Sequence, residues 1–227
     1  MDVYKFNTAA HEQFRCDQRD IRVRRAVPLV GRGCIVLDVG CFDGTIGELF
    51  MQAGNMVYGI DASQVAVPKA VAKGIKAKLS NLEEPLDFPS EMFDVVFAGE
   101  VLEHVFNIDL LLSEIHRVLR PMGSLVATTP NLAGLGRRLF LLVNKNPHIE
   151  VSFTGSSAGH IRYFIKDTLF SILQKHGFRI TNFTSDVVNF NSKGTIRSFC
   201  LARAFPTLGK SLIVKAQKCE QLAKADN

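Results

Sequence analysis

The sequence predicts an α/β fold in which a central, mostly parallel sheet is covered by helices on both faces. Two observations support this prediction. From Ile35 onward, short apolar segments alternate with amphipathic ones, a pattern typical of parallel strands joined by right-handed crossovers. Segments such as 93–98 are apolar almost throughout, as expected of strands buried on both faces. The chain of 227 residues is long enough for one such domain with a single core.

The elements are predicted in chain order from these patterns. An N-terminal helix is expected over 8–29, ending near Pro28 and Gly31. Two last strands, 178–185 and 211–216, have no long amphipathic crossover between them, which favours an antiparallel hairpin closing the sheet. We expect one domain over 1–227, with 1–30 as its N-terminal helix segment and 130–160 as an insertion after the fifth strand. The other strands are predicted at 35–39, 56–60, 76–79, 93–98 and 124–128, and the other helices at about 45–53, 63–73, 108–119 and 166–176.

Composition and charge favour an ordinary globular protein. The net charge is +5, and the arginines between 15 and 25 are interpreted as one solvated helix face, so no nucleic-acid partner is expected. The five cysteines form no CxxC pair, which argues against a disulfide framework or a zinc site. No secretory signal and no membrane-spanning run is recognised. A cytoplasmic location is therefore predicted, while the oligomeric state stays open.

A glycine-containing loop follows the first predicted strand. Asp38-Val39-Gly40 is followed by Cys41-Phe42-Asp43-Gly44, and a helix is expected to begin at the capping-box spacing of Thr45 and Glu48. Glycine permits positive φ and close backbone approach, while a helix N-terminus presents N–H groups and partial positive charge. The loop therefore suits an anionic group, either a phosphate or a carboxylate. The alternative is a strand–helix turn that binds no ligand.

Two acidic residues help to choose the ligand. Asp61 ends the second predicted strand, where a carboxylate can accept both ribose hydroxyls of an adenosine; alternatively, it caps the helix before Ser63. Asp38 lies beside Gly40, where its charge would repel a diphosphate. S-adenosylmethionine instead carries an ammonium, a sulfonium and a carboxylate, so the charge pattern favours this cofactor over a dinucleotide.

Four motifs in order resemble those of the class I S-adenosylmethionine-dependent methyltransferases. D-V-G-C-F-D-G resembles their first motif and G-I-D-A-S their second. The third match is S-N-L-E-E-P-L-D-F-P-S-E-M-F-D-V-V-F-A (80–98), and the fourth is A-G-E-V-L-E-H-V (98–105). The block after the fourth motif is similar to the small-molecule branch that includes quinone-biosynthesis methyltransferases. The resemblance is continuous from about residue 36 to 129.

This resemblance implies a fold, a reaction and a set of site residues. The implied fold is a Rossmann-like, doubly wound sheet of seven strands in the order 3-2-1-4-5-7-6, with the last strand antiparallel. The implied reaction is O- or C-methylation of a small-molecule acceptor, without a metal. Asp61 would hold the ribose, residues 40–44 the methionine part, and Asn81 with Leu82 the adenine. The full set of implied cofactor-binding residues is Asp38, Gly40, Cys41, Phe42, Gly44, Asp61, Ala62, Asn81, Leu82 and Glu100.

Two positions depart from the family pattern. Phe42 stands where glycine is usual, and Asn81 stands where aspartate is common. Phe42 is compatible with cofactor binding provided that its backbone does not need positive φ. Both departures favour one alternative, a methyltransferase-fold scaffold without turnover. The other alternative is a nicotinamide-dependent oxidoreductase, against which Asp38 and the absence of a compact GxGxxG argue.

Two histidines are candidates for a catalytic base. Removing a proton from an oxygen nucleophile suits an imidazole. His104 follows the fourth predicted strand, at the edge where open α/β sheets bind ligands, and His160 follows a polar loop. The alternative is that each only braces its loop, and His116 is expected to be structural. Arg162 and Tyr163 are predicted to contact an acidic or phosphorylated acceptor, unless they are an exposed loop pair.

The connection after the fifth strand is longer than a simple strand-to-helix loop. Residues 137–143 within it are basic, then apolar, and a short helix is predicted there. In the resembling family this connection often forms part of an acceptor lid. One hypothesis is a lid that covers the substrate and touches a membrane surface weakly through 137–143. The alternative is a helix packed on the core.

Overall fold

The structure, a computed structural model, describes residues 17–150, 159–191 and 195–219. Strands and helices alternate from residue 35 to residue 130, as the apolar pattern predicts. The helices are α1 (Ile21–Val30), α2 (Thr45–Gln52), α3 (Val67–Ala72), α4 (Ile108–Val118), α5 (Leu135–Leu142), α6 (Lys166–Lys175) and α7 (Phe199–Ala204). The strands are β1 (Ile35–Val39), β2 (Met56–Asp61), β3 (Lys76–Leu79), β4 (Phe93–Gly99), β5 (Leu119–Pro130), β6 (Phe178–Ser185), β7 (Val188–Asn189), β8 (Arg197–Ser198) and β9 (Ser211–Lys218).

Seven of these strands form one mixed sheet in the order β3-β2-β1-β4-β5-β9-β6. The first five strands are parallel to one another, whereas β9 runs antiparallel to both β5 and β6. Since β9 is the last strand of this sheet in the chain, the predicted order and its antiparallel closing strand are confirmed. The two-residue strands β7 and β8 form a separate ribbon. They were not predicted, because two residues are too few to show a periodicity.

Both faces of the sheet are buried, which explains why its central strands are apolar throughout. On one face, Leu37 and Val96 pack in the core cluster that contains the apolar stripe of α4. On the other face, Val36 and Val95 pack against α1 and α2. Because side chains alternate along a strand, successive residues of β1, and likewise of β4, pack on opposite faces of the sheet. The carboxyl ends of β1, β2 and β4 meet at one edge of this buried sheet.

The N-terminal helix begins later than predicted within the described residues. A turn precedes α1, and the Asp20 carboxylate caps the helix by accepting a hydrogen bond from the Arg22 N–H at 2.8 Å. Pro28 lies inside α1 and does not end it; the helix ends at Gly31, whose φ is +91°. The part of the predicted helix before residue 17 lies outside the described residues.

The predicted short helix of the insertion is present as α5. It packs against β7, and none of its residues is buried. Its apolar side chains are largely exposed, with Leu142 at 82% and Val143 at 62%. No helix among the described residues is long and apolar enough to cross a membrane.

Candidate functional site

Asp38 lies inside β1, one residue before its end, and is only 2% exposed. Its Oδ2 atom is buried and has no hydrogen-bond partner among the described residues. Burial, and then the charge of Asp61, raise the pKa of the Asp38 carboxyl well above its usual value. Burial thus disfavours the ionised form of this carboxyl in the protein without ligand. An incoming cationic group would shift it toward the ionised form.

Asp61 ends β2 and connects the two loops that flank the edge. Its Oδ2 accepts a hydrogen bond from the Phe42 N–H at 2.8 Å, and its Oδ1 accepts one from the Ser63 N–H at 2.8 Å. The bond to Ser63 forms a local turn and not a helix cap, because α3 begins at Val67 with Ala66 as its N-cap. A carboxylate has about four lone-pair sites, so these two bonds leave acceptor capacity for ribose hydroxyls.

Phe42 has a left-handed backbone, with φ of +47°. The condition that the backbone of Phe42 does not need positive φ is therefore not met. A bulky residue in this region carries strain of about 1–2 kcal/mol, and the hydrogen bond to Asp61 holds it in place. Strain of this kind is concentrated at ligand sites, and here it lies in the loop that the motif assigns to the cofactor.

The two loop glycines are required by backbone conformation and by packing. Gly40 and Gly44 have φ of +72° and +78°. A Cβ on Gly40 would lie 2.6 Å from Val101 Cγ2, and one on Gly44 would lie 2.6 Å from Ile75 Cδ1. The close approach made by these glycines in the structure is therefore to the protein itself, and their contact with the methionine part of a cofactor stays a prediction.

The start of α2 differs from the predicted capping box. Gly44 is the N-cap, Thr45 is already helical, and the Asp43 carboxylate accepts the Thr45 N–H at 3.0 Å. Cys41, in the same loop, is buried, and burial is the main cause that raises the pKa of its thiol. The thiol therefore stays protonated at neutral pH and fills space in the core.

The loop after β3 carries the residues expected at the adenine. Asn81 is half-buried; its side-chain oxygen accepts the Glu83 N–H at 3.1 Å and its amide donates to Glu84 at 2.9 Å. Leu82 packs against the main core, while Ala62 follows Asp61 at the neighbouring strand end. The structure thus gives Asn81 a turn-forming role, and its adenine contact stays a prediction.

Glu100 forms an ion pair with Arg22, which was not predicted from the sequence as a site residue. It follows β4 with φ of +57°, and its Oε1 lies 2.8 Å from Nη1 of Arg22. The Thr128 hydroxyl donates to the same oxygen at 3.1 Å. Arg22 had been assigned to a solvated helix face, yet α1 carries it to the sheet edge. The sequence does not distinguish Arg22 from the neighbouring arginines, of which Arg24 is exposed as expected.

Glu103 is the most deeply buried charged group at this edge, at 1% exposure. Its Oε2 accepts the Thr129 hydroxyl at 2.9 Å, and its Oε1 is buried without a hydrogen-bond partner among the described residues. Burial raises the pKa of Glu103 to about 7, against the opposing effects of its hydrogen bonds and of Arg22. Its neighbour His104 was predicted from the sequence as a site residue, whereas Glu103 itself was not.

The structure brings His104 and His160 together. Their ring centroids are 4.9 Å apart, and Nε2 of His160 lies 4.0 Å from Oε1 of Glu103. Burial is the main cause that lowers the pKa of His160, partly offset by Glu150 and strengthened by the charge of Arg137. Low pKa keeps the His160 imidazole neutral and able to accept a proton.

The tautomer of His104 is set by its surroundings. Nδ1 of His104 lies 3.1 Å from the Gly159 carbonyl oxygen, which can only accept a hydrogen bond. In the neutral ring, Nδ1 therefore carries the proton and Nε2 carries the lone pair. One ligand atom each from Glu103, His104 and His160 lies within 4.8 Å of the others. Such a carboxylate–imidazole cluster can relay protons or bind a divalent cation.

The remaining candidates have mainly structural contacts. The Arg162 guanidinium donates to the carbonyls of Val105 and Phe106 and braces the loop after β4. The Tyr163 hydroxyl accepts the Glu150 N–H at 2.6 Å, and its ring lies 6.0 Å from that of His160. His116 contacts the Cys219 carbonyl at 3.2 Å and is structural, as predicted.

The residues at this edge fit S-adenosylmethionine. Asp38 offers an unpaired, buried acceptor for a cationic group, and Asp61 retains acceptor capacity at the end of β2. Arg22 supplies a positive charge suited to a carboxylate, although Glu100 pairs with it here. Acceptors and a cation on one edge match the mixed charges of this cofactor better than those of a diphosphate.

Comparisons with known proteins agree with this geometry. Residues 37–127 match the family model described as a methyltransferase domain. Ubiquinone biosynthesis O-methyltransferase of Rattus norvegicus is 30% identical over 168 residues, which are 69% of this chain and 48% of the relative. The protein of that name from Agrobacterium fabrum is 31% identical over 152 residues, covering 63% of this chain and 60% of the relative. The chain thus spans about half the length of the curated relatives it matches.

Solved structures share the fold at low identity. A methyltransferase from Burkholderia thailandensis, solved with 1,6-didemethyltoxoflavin and S-adenosylhomocysteine, has a TM-score of 0.64 at 18% identity, covering 96% of this chain and 87% of that chain. An S-adenosylmethionine-dependent methyltransferase from Mesorhizobium loti has a TM-score of 0.59 at 19% identity, covering 86% and 95%. The resemblance drawn from the four motifs is confirmed, and nothing in the comparisons favours an oxidoreductase.

Proposed function

We propose that the chain, which belongs to the class I S-adenosylmethionine-dependent methyltransferases, methylates a phenolic hydroxyl of a small aromatic molecule. The carrying observation is that Asp38 and Asp61 lie at the carboxyl ends of β1 and β2, while Glu103 and His104 follow the end of the neighbouring strand β4 and form a cluster with His160. The cofactor supplies an activated methyl group. The chain's own residues then have to bind, align and deprotonate the acceptor.

The choice of oxygen as the methyl acceptor is supported by the relatives. Those from Rattus norvegicus and Agrobacterium fabrum are named for O-methylation in ubiquinone biosynthesis. A methoxy group on a quinone ring is formed from a ring hydroxyl, which must lose its proton during transfer. A site with imidazoles fits that requirement, whereas C-methylation of an activated ring makes less use of them.

His104 is the proposed proton acceptor. Its Nδ1–H is directed at the Gly159 carbonyl, so the lone pair of the neutral ring is on Nε2. His160 and Glu103 are then placed to stabilise the positive charge that develops on His104, since their atoms lie within 4.8 Å. A divalent cation held by the same three residues would provide a second route, by lowering the pKa of the phenol directly.

Cofactor binding gives the first test. Calorimetric titration of the full chain with S-adenosylhomocysteine is expected to show saturable binding. In a separate turnover assay, the chain should convert S-adenosylmethionine to S-adenosylhomocysteine when a catechol is present. His104→Ala should lower kcat with little change in cofactor affinity. Turnover that survives His104→Ala would refute the proton-acceptor role, and activity that is lost in EDTA and restored by Mg²⁺ would favour the cation route.

We also propose that α5 is a lid helix that rests weakly on a lipid surface. No residue of α5 is fully buried, the apolar side chains at 139 and 141–143, in and just after its last turn, are at least 40% exposed, and the neighbouring Arg138 is also exposed. A helix packed on the core would bury one of its faces, so the exposure favours the membrane interpretation.

Vesicles test this lid proposal. Co-sedimentation with vesicles containing anionic phospholipid is expected for the wild type and reduced for Leu142→Glu. Val71→Glu changes an apolar residue of α3 that is 51% exposed, and should leave binding unchanged. Equal loss in both variants, or no sedimentation of the wild type, would remove the membrane role.

A cytoplasmic location remains part of the proposal. The cysteines in the described residues, Cys34, Cys41, Cys200 and Cys219, are all free thiols, which supports a reducing compartment. Fractionation that placed the native protein in an oxidising compartment would contradict it.

A further inference from the structure

A cavity lies between α5, the β7–β8 ribbon and the turn before β9. Its volume is about 260 Å³, smaller than the usual range for drug-sized ligands and suited to a single substituted ring. Leu135, Phe140 and Leu208 form apolar walls, while Arg137 and Lys210 contribute positive charge. None of the described residues that line the cavity is acidic. The cavity therefore has the charge and size of a site for a small anionic ligand.

Arg137 is the main reason to expect an anion. Its Nη1 atom is buried and has no hydrogen-bond partner among the described residues. Burial lowers the pKa of the Arg137 guanidinium, which reflects the cost of keeping this cation away from water. A carboxylate or phosphate would remove that cost, because a guanidinium binds both with two parallel hydrogen bonds.

The end of β5 links the cavity to the reacting groups. Thr129 donates to Glu103 at 2.9 Å, and Asn131, two residues later, lines the cavity and pairs with Phe164 in the segment that carries His160. A ring bound with its anionic group at Arg137 would therefore lie beside the strand end that also contacts Glu103. Arg162, which the sequence analysis assigned to an acidic acceptor, is engaged with two backbone carbonyls.

We propose that this cavity binds the carboxylate or phosphate of the methyl acceptor, with Arg137 as its principal partner and Lys210 as a second positive charge. The acceptor is then an aromatic acid or aryl phosphate rather than a neutral phenol. This inference rests on the proposed function, since it names the substrate class of the same site. It assigns to α5 a role in acceptor binding as well as in covering the site.

Matched probes test the inference. The compounds 3,4-dihydroxybenzoate and 3,4-dihydroxybenzamide share size and shape but differ in charge. In titrations of the full chain, the benzoate should bind at least about tenfold more tightly than the benzamide, the size expected for hydrogen bonds between charged groups. Arg137→Met should abolish that difference, whereas Arg138→Met should retain it, because Arg138 is exposed on the same helix.

Two further readouts separate the outcomes. Arg137→Met should not lower the melting temperature without ligand, since it removes an unpaired buried cation, whereas a purely structural Arg137 would make the variant less stable. Equal binding of the two probes, or equal losses in both arginine variants, would overturn the inference. S-adenosylhomocysteine titrated into the same wild-type sample tests the proposed function separately: binding of that compound without discrimination between the probes would refute only the inference.

Discussion

Replacing Glu103 with glutamine tests the buried cluster most directly. In the folded chain the pKa of Glu103 rises from 4.5 to about 7, mainly through burial. The folded state therefore binds this proton more tightly than the unfolded state, so stability falls as pH rises from about 4.5 to about 7 and then stays level. Each pKa unit corresponds to about 1.36 kcal/mol. The raised pKa of Glu103 therefore lowers the unfolding free energy by roughly 3 kcal/mol at pH 8 and by roughly 1 kcal/mol at pH 5.

Glutamine removes this penalty while keeping an oxygen to accept the Thr129 hydroxyl. We expect the Glu103→Gln variant to exceed the wild type in unfolding free energy by roughly 3 kcal/mol at pH 8, with a gain nearer 1 kcal/mol at pH 5. Urea denaturation at both pH values measures the difference. Glu84→Gln removes the same charge from an exposed position and serves as the control. A gain that is the same at both pH values would refute the assignment of a raised pKa to Glu103.

Three further predictions concern the cofactor edge. Asp61→Ala should weaken S-adenosylhomocysteine binding at least about tenfold, because two ribose hydroxyls lose a charged acceptor; unchanged affinity in calorimetry would exclude the ribose contact. Phe42→Gly should be more stable than Phe42→Ala by about 1 kcal/mol, since both remove the ring but only alanine keeps a Cβ at positive φ; urea denaturation showing the reverse order would exclude strain there. Arg22→Met should cost about 1–2 kcal/mol by removing the charged partner of Glu100, whereas Arg24→Met should have little effect in the same assay.

The sequence predicted the sheet far better than the contacts at its edge. Strand segments such as 35–39 were recognised because burial on both faces leaves a continuous apolar run. The left-handed backbone of Phe42 was not recognised, since its N–H donates to Asp61 at the end of the neighbouring strand β2, which is distant in sequence. Arg22 was missed for a similar reason, because its partner Glu100 is far along the chain. Local patterns predict elements, whereas pairings of this kind depend on the topology that brings strand ends together.

The buried polar atoms without partners argue for ligand binding over a scaffold. Among the described residues, three side-chain atoms are in this state: Asp38 Oδ2, Glu103 Oε1 and Arg137 Nη1. Each unsatisfied group costs about 1–3 kcal/mol, and such groups are few in folded proteins. In the proposed complex, Asp38 Oδ2 would lie at the cofactor's cationic group, Glu103 Oε1 at the reacting centre and Arg137 Nη1 at the acceptor's anionic end. A protein that bound nothing at this edge would bear all three costs without compensation, whereas a methyltransferase with an acidic acceptor would satisfy each of them.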